Sequence, residues 1–208
     1  MNDQSLTQPT PDALESRVRA WARDRLSPER FLHTQGVARI VTDLAARYGL
    51  EALIPSLRLA AWIHDAAKEL PDDALLETAR ALGVAIRPIE EHAPGLLHGA
   101  VALALAREAF GIDDPVVTSA VLYHTTGHPD MSAADKVFYL ADLIEPGRHY
   151  GWIEQVRALA EIDLDQALLF AVTYQLRRLL KHGALVDTRG IELRNRMLIE
   201  GVPLVMRE

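Results

Sequence analysis

SLRLAAWIHDAAKELP, residues Ser56–Pro71, sets its apolar side chains at helical spacing and then ends that face on two polar groups. Leu57, Ala60 and Ala61 are followed, at offsets 7 and 8 from Leu57, by His64 and Asp65. A repeat near 3.6 puts all five on the buried side of a helix over about Ser56–Lys68, which stops before Pro71. The same period continues in both directions. Upstream, an amphipathic helix is expected over Asp12–Leu26. Ser27-Pro28, a capping residue followed by proline, opens another over Pro28–Tyr48, ended by Gly49. Downstream, helices are expected from Asp72 or Asp73 to Leu82, over Leu96–Phe110, from the Asp113-Asp114-Pro115 cap to Tyr123, and over Ala133–Ile144 behind Ser132. Trp152–Ala160, Leu164–His182 and Thr188–Glu200 complete the series, while Val84–Pro94 and His124–Met131 read as loops. There is no strand alternation, internal repeat or linker. The expectation is therefore one all-α helical bundle over residues 12–200, between a short disordered lead-in (1–11) and a C-terminal tail (201–208).

The chain has 208 residues, 49 % of them hydrophobic and 25 % charged, the balance of a folded domain rather than a disordered one. It has no cysteine, which excludes disulfides, thiolate metal sites and a cysteine nucleophile. Any metal must then be held by nitrogen and oxygen. The formal net charge of -7 argues against a nonspecific nucleic-acid binder, which needs a cationic surface. His92–Ala106 and Pro115–Pro129 lack charged side chains but are shorter than the roughly 20 apolar residues of a spanning helix. Met1–Pro11 lacks the basic and apolar regions of a signal peptide, so the cytoplasm is the expected compartment.

His64 and Asp65 are not alone on buried faces. His33 shares one with Val37, Ile40, Val41, Leu44 and Tyr48; His98 with Val101, Ala102, Leu105 and Ala109. His124 follows Val117, Ala120 and Val121, and Asp142 follows Ala134, Phe138 and Ala141. A single inward histidine is most often a satisfied core residue. A carboxylate buried without a partner costs on the order of several kcal/mol, so two of them among four histidines on five helices ask for a common cause. A cation supplies one. Imidazole nitrogens and carboxylates suit iron, manganese or zinc rather than calcium. Six ligating residues exceed what one catalytic ion takes, and a carboxylate next to a histidine can bridge. Two ions about 3.5–4 Å apart are expected, the arrangement that clamps attacking and leaving oxygens in phosphoryl chemistry.

The doublet His64-Asp65 resembles that of the HD-domain metal phosphohydrolases. Longer strings narrow the likeness: HTQGVA at His33–Ala38, HDAAKELP at His64–Pro71, LLHG at Leu96–Gly99, YHTTG at Tyr123–Gly127, YLADLIEPGR at Tyr139–Arg148 and IELRNRML at Ile191–Leu198. Together, from about Ser27 to Glu200, they resemble the YqeK-type bacterial HD proteins, which are symmetrical diadenosine tetraphosphatases. The resemblance implies an HD-type helical bundle with a di-iron centre. It implies cleavage of the tetraphosphate bridge in the middle, by a two-metal-activated hydroxide, giving two ADP. Its ligand positions fall on His33, His64, Asp65, His98, His124 and Asp142, the six that the helix faces select, with Asp65 as the bridge. Lys68, Thr125 and Arg148 match positions that handle phosphate, with Lys68 beside Asp65 in catalysis. His98, His124, Thr126 and His128 would border the substrate, and Val186, Asp187 and Thr188, within Leu185–Gly190, the nucleoside. Two residues depart from the family pattern: Ala66 replaces a bulkier aliphatic residue, and His128 replaces an arginine after HTTG. The expected partners are a dinucleoside polyphosphate and its ADP product, with no nucleic acid or membrane; a homodimer is left open.

Other residues have blander readings. His182 before Gly183 reads as a helix-end cation. His92 reads as a surface residue, Arg177, Arg178 and Lys181 as a solvated face, and Trp21, Trp62 and Trp152 as core anchors. Three competing functions stay open at this stage: another HD nucleotidase or phosphodiesterase, a nucleotide-binding regulator that does not hydrolyse, and a helical interaction protein with a polar core network.

Overall fold

In the structure, a computed structural model that describes residues 11–149 and 151–204, the described residues form helices and turns with no strand. The helices are α1 (Pro11–Arg23), α2 (Pro28–Arg47), α3 (Ile54–Ile63), α4 (Asp72–Ala81), α5 (Pro88–His92), α6 (His98–Phe110), α7 (Pro115–Tyr123), α8 (Ala133–Ile144), α9 (Ile153–Ala160), α10 (Leu164–Lys181) and α11 (Thr188–Ile199). Short 3-10 turns at Glu51–Leu53 and Pro94–Leu97 lead into α3 and α6.

The helix starts follow from the sequence. Ser27 caps α2 by accepting from the Arg30 N–H, with Pro28 at the first helical position. The Asp114 carboxylate accepts from the Val116 N–H at 2.8 Å and opens α7. Ser132 and Asp135 cap each other's backbone at the start of α8, a reciprocal box. Asp163 opens α10 through the Gln166 N–H.

Helices α2, α3, α7 and α8 form the centre: α2 packs on both α3 and α8, and α7 on both α3 and α8. Their shared interior holds Val37, Val41, Leu57, Ile63, Val117, Val121, Phe138 and Leu140, all fully buried. Helix α6 lies on α7, α1 on α3, and α10 on α8, α9 and α11. No helix among the described residues is long and apolar enough to cross a membrane.

Three stretches differ from the sequence expectation. The helix expected through Lys68 ends its α-form at Ile63; beyond it Ala66, Lys68 and Leu70 donate to the carbonyls three residues back. In such a tighter turn side chains at i and i+3 eclipse, which stacks Lys68 beside Asp65. Val84–Pro94, expected as a loop, contains α5 and the start of a 3-10 turn. Proline at the first position of each starts it, and each is too short to show a hydrophobic period. Other boundaries move by a few residues: α1 is Pro11–Arg23 rather than Asp12–Leu26, and α2 ends at Arg47. Residues 1–10 of the expected lead-in and 205–208 of the expected tail lie outside the described residues. Within the tail, Val202 and Leu204 pack against the core.

Candidate metal centre and substrate cavity

Helix ends bring the six inward groups together. His33 comes from α2, His64 and Asp65 from the turn after α3, His98 from the first position of α6, His124 from the end of α7, and Asp142 from α8. Two sets of ligand atoms result: His33, His64 and Asp142, and Asp65, His98 and His124. In the first set His33 Nε2 lies 3.0 Å and His64 Nε2 3.7 Å from Asp142 Oδ1. In the second, His98 Nε2 lies 3.3 Å and His124 Nε2 3.9 Å from Asp65 Oδ1. The other oxygen of Asp65 turns to the first set, 3.7 Å from His33 Nε2 and 3.6 Å from His64 Nε2. One carboxylate therefore faces both groups.

Each imidazole is held by its far nitrogen. His64 Nδ1 donates to Ala61 O at 2.8 Å, His98 Nδ1 to Gly95 O at 2.6 Å and His124 Nδ1 to Val121 O at 2.7 Å. His33 Nδ1 meets Glu145 Oε1 at 3.0 Å. A carbonyl only accepts, so Nδ1 carries the proton and Nε2 presents a lone pair, the tautomer a metal requires. The lone pairs of His98 and His124 then face each other at 2.8 Å. His33 Nε2, His64 Nε2 and Asp142 Oδ1 are buried with no hydrogen-bond partner. Opposed lone pairs and unpartnered ring nitrogens around two carboxylates fit a cation in each set; Arg30 and Arg148 reach the carboxylates from one side, but neither meets the nitrogen lone pairs turned inward.

The buried groups also shift one another's protonation. Burial alone would raise the Asp65 and Asp142 carboxyls, but the surrounding histidines outweigh it and hold both well below the usual range. Burial works to lower the His64 pKa, yet Asp65 and Asp142 raise it on balance. Burial, with His98 and His64 alongside, brings His124 down to about 3, so its ring is neutral at neutral pH. Burial also lowers Lys68, against the pull of Asp65 and Asp142.

Two glycines make the approach possible. A Cβ on Gly99 would stand 2.8 Å from Val121 O and 3.0 Å from His124 Cε1. A Cβ on Gly36 would stand 2.8 Å from Glu145 Oε2. Glu145 itself escapes sequence reading because it follows α8 rather than lying on its buried stripe. It is 4 % exposed, accepts from the Gly147 N–H at 2.7 Å and aims His33. Arg157 of α9 braces the same turn, donating to the carbonyls of Ile144, Glu145 and Arg148. Glu145→Ala is expected to weaken metal binding about 10- to 100-fold, the usual loss for an outer-sphere partner of a ligating histidine. Metal titration checks this, with Glu145→Gln keeping more of the affinity because its amide oxygen still accepts from Nδ1.

A cavity of about 160 Å³ lies over the two sets, walled in part by Lys68, Thr125, Arg148 and Arg30. Lys68 Nζ stands 3.4 Å from the ring nitrogens of His98, and Thr125 Oγ1 3.0 Å from His124 Nε2. Arg30, also missed from sequence, donates to Asp65 Oδ2 at 3.0 Å, and Arg148 Nη2 lies 3.7 Å from Asp142 Oδ1. Thr125, Leu143 and Gln175 also line a second, largely apolar cavity of about 250 Å³ between α8, α10 and the start of α11, with Trp152 and Leu176 in its wall. Thr126 and Asp187 border it. Val186 is half-buried next to them and Thr188 is exposed at the start of α11. His128 is placed differently: its ring stacks on Tyr123 at 4.5 Å, and its Nδ1 accepts from the Asp130 N–H. His92 is exposed at the end of α5, and His182 caps α10. Arg177, Arg178 and Lys181 are exposed; Arg178 also borders the apolar cavity.

Asp187 is committed to the chain. It caps α11 through the Arg189 N–H and pairs with Arg87 at 2.5 Å and with Arg189 at 3.1 Å, tying α5 to the cavity rim. Burial would raise its pKa, but the Arg87 and Arg189 hydrogen bonds bring it to about 2, against an ordinary 3.8. A depressed carboxyl contributes stability above its unfolded pKa and loses it as pH falls through the folded one. Between about pH 4 and pH 2 the wild type should therefore lose more thermal stability than Asp187→Asn does, checked by melting curves of both.

Comparison with known proteins places this geometry. The HD domain family matches residues 30–147. A symmetrical bis(5'-nucleosyl)-tetraphosphatase of Bacillus subtilis (strain 168) is 33 % identical over 162 residues, 78 % of this chain and 86 % of that protein. One of Halalkalibacterium halodurans is 33 % identical over 178 residues, 86 % of this chain and 94 % of that protein. The crystal structure of a predicted HD superfamily hydrolase involved in NAD metabolism, from Clostridium acetobutylicum, superposes with a TM-score of 0.83 at 31 % identity, covering 89 % of this chain and 97 % of that one. The chain belongs to the HD domain family and, within it, to the group of the symmetrical bis(5'-nucleosyl)-tetraphosphatases.

Proposed function

We propose that this chain hydrolyses diadenosine tetraphosphate at its central bridge, releasing two ADP, with one metal ion held by His33, His64 and Asp142 and a second by Asp65, His98 and His124. Iron is the proposed metal, with manganese or zinc as alternatives, and the cytoplasm the proposed compartment. The observation that carries the reading is the pair of opposed lone pairs on His98 and His124, beside a carboxylate that faces both ligand sets. When bound, the ions supply Lewis acidity, neutralising phosphate charge and acidifying water.

The chain's own groups do the rest. Lys68, Arg30 and Arg148 stand around the cavity over the ligands, where their donors meet the non-bridging oxygens of a polyphosphate and take up charge as the bridge breaks. Thr125 offers a hydroxyl at the same wall. The adjoining apolar cavity accepts one nucleoside, excludes water from it and fixes the register that places the central bridge over the metals. Val186 and Thr188 flank that cavity, and Asp187 shapes its rim rather than contacting a ligand. His98 and His124 border the substrate as ligands, and Thr126 lines the apolar cavity; His128 belongs to the proposal only through its position after Thr125-Thr126-Gly127.

Chromatography of the products from metal-supplemented protein tests the proposal. The expected result is ADP alone from diadenosine tetraphosphate, with 5'-mononucleotides and cyclic nucleotides left intact. ATP plus AMP, or turnover restricted to a mononucleotide, would overturn it.

A further inference from the structure

A cut at the centre of a dinucleoside tetraphosphate leaves a nucleoside diphosphate on either side, so the cavity over the metal ligands has to open in two directions. One opening is the apolar cavity reached past Thr125, Leu143 and Gln175. The other is a groove of about 820 Å³ between the first half of α2 and the turn after α8, which shares Arg30 and Arg148 with the central cavity. We propose that this groove seats the second nucleotide, so that two chemically identical halves of the substrate occupy two unlike sites. The inference rests on the hydrolysis proposed above.

The wall of the groove suits that occupant. Leu32, Gln35, Gly36 and Arg39 follow one another at offsets 3, 4 and 7, a single face of α2 turned away from the core. Leu32 is 67 % exposed, an aliphatic surface that the fold leaves uncovered. Arg39 is exposed and makes no ion pair among the described residues. Of the acidic side chains here, Glu69 accepts from the N–H and hydroxyl of Ser27, and Glu145 is engaged by His33 and Gly147. Three arginines, Arg30, Arg39 and Arg148, stand with three carboxylates, Glu29, Glu69 and Glu145, in this wall; Arg30 and Arg148 reach Asp65 and Asp142, which leaves Arg39 as the cation turned to the outer part of the groove. From Arg30 to Arg39 the helix rises about 13 Å at 1.5 Å per residue, which leaves room for a ribose and base beyond phosphates held at Arg30 and Arg148. A planar guanidinium stacks on any base, and Leu32 adds apolar contact without reading its edge. The groove therefore tolerates different bases, and discrimination falls to the apolar cavity alone.

Steady-state kinetics of Arg39→Ala and Leu32→Ser test the assignment. Each is expected to raise KM for diadenosine tetraphosphate about five- to tenfold, with kcat and metal content unchanged. Adenosine 5'-tetraphosphate, which lacks the second nucleoside, should inhibit wild type and both variants with the same inhibition constant. An unchanged KM in both variants, with the wild type hydrolysing normally, would overturn the groove and leave the proposed activity standing. An equal loss toward both compounds would also overturn it, because it would mark a distortion of α2 at His33. A wild type that releases no ADP from the dinucleotide would overturn the activity and the groove with it.

Discussion

Replacing Asp65 by alanine is expected to strip the metal and abolish turnover while leaving the helical content of the protein intact. Among the described residues Asp65 is the side chain whose two oxygens address both ligand sets, 3.3 Å from His98 Nε2 on one side and 3.6 Å from His64 Nε2 on the other. Its removal leaves the second set with two histidines and deprives the first of its shared neighbour. The loss should lie well beyond the roughly 10- to 100-fold that removal of an outer-sphere partner costs. The fold should persist because the packing of α2, α3, α7 and α8 rests on apolar residues such as Leu57, Val121 and Phe138, none of which depends on the carboxylate. Elemental analysis, ADP release and circular dichroism on one preparation check the three parts together. Retained activity in this variant would remove the bridged pair of ions.

Lys68→Ala is expected to separate chemistry from metal binding. Its Nζ lies beside His98 and lines the cavity, yet it belongs to neither ligand set. The Lys68 N–H that donates to Asp65 O survives the substitution, so the turn and the ligands should stay in place. A cation aimed at charge that develops in the transition state is typically worth about 10²- to 10³-fold in kcat, and a fall of that order is expected with metal content unchanged. Wild-type kinetics would reduce Lys68 to a counter-charge for Asp65.

Helix positions were legible where local chemistry announces them. Ser27-Pro28, Asp114-Pro115 and Ser132 start helices in the sequence and in the structure alike. The six inward groups were legible for a related reason: a helical stripe fixes which side chains share a face, and polar groups at the end of an apolar stripe stand out. Glu145, Arg30 and Gln175 were not legible. Their roles depend on how separate elements meet, as when the turn after α8 presents Glu145 to His33 on α2, at a sequence distance of 112 residues. The turn that carries His64, Asp65 and Lys68 was read as helix because its alanines suit one; only the bonds to the third residue back distinguish it. Asp187 lies where the resemblance places the nucleoside, but its pairing with Arg87 brings in α5, a helix of one turn in a stretch with no readable period.

Metal added stepwise to metal-free protein, with ADP release from diadenosine tetraphosphate measured at each step, tests two-ion symmetrical hydrolysis most directly. The expected result is activity that saturates at two equivalents per chain, with ADP as the sole nucleotide product. Full activity at one equivalent, or ATP and AMP among the products, would contradict it.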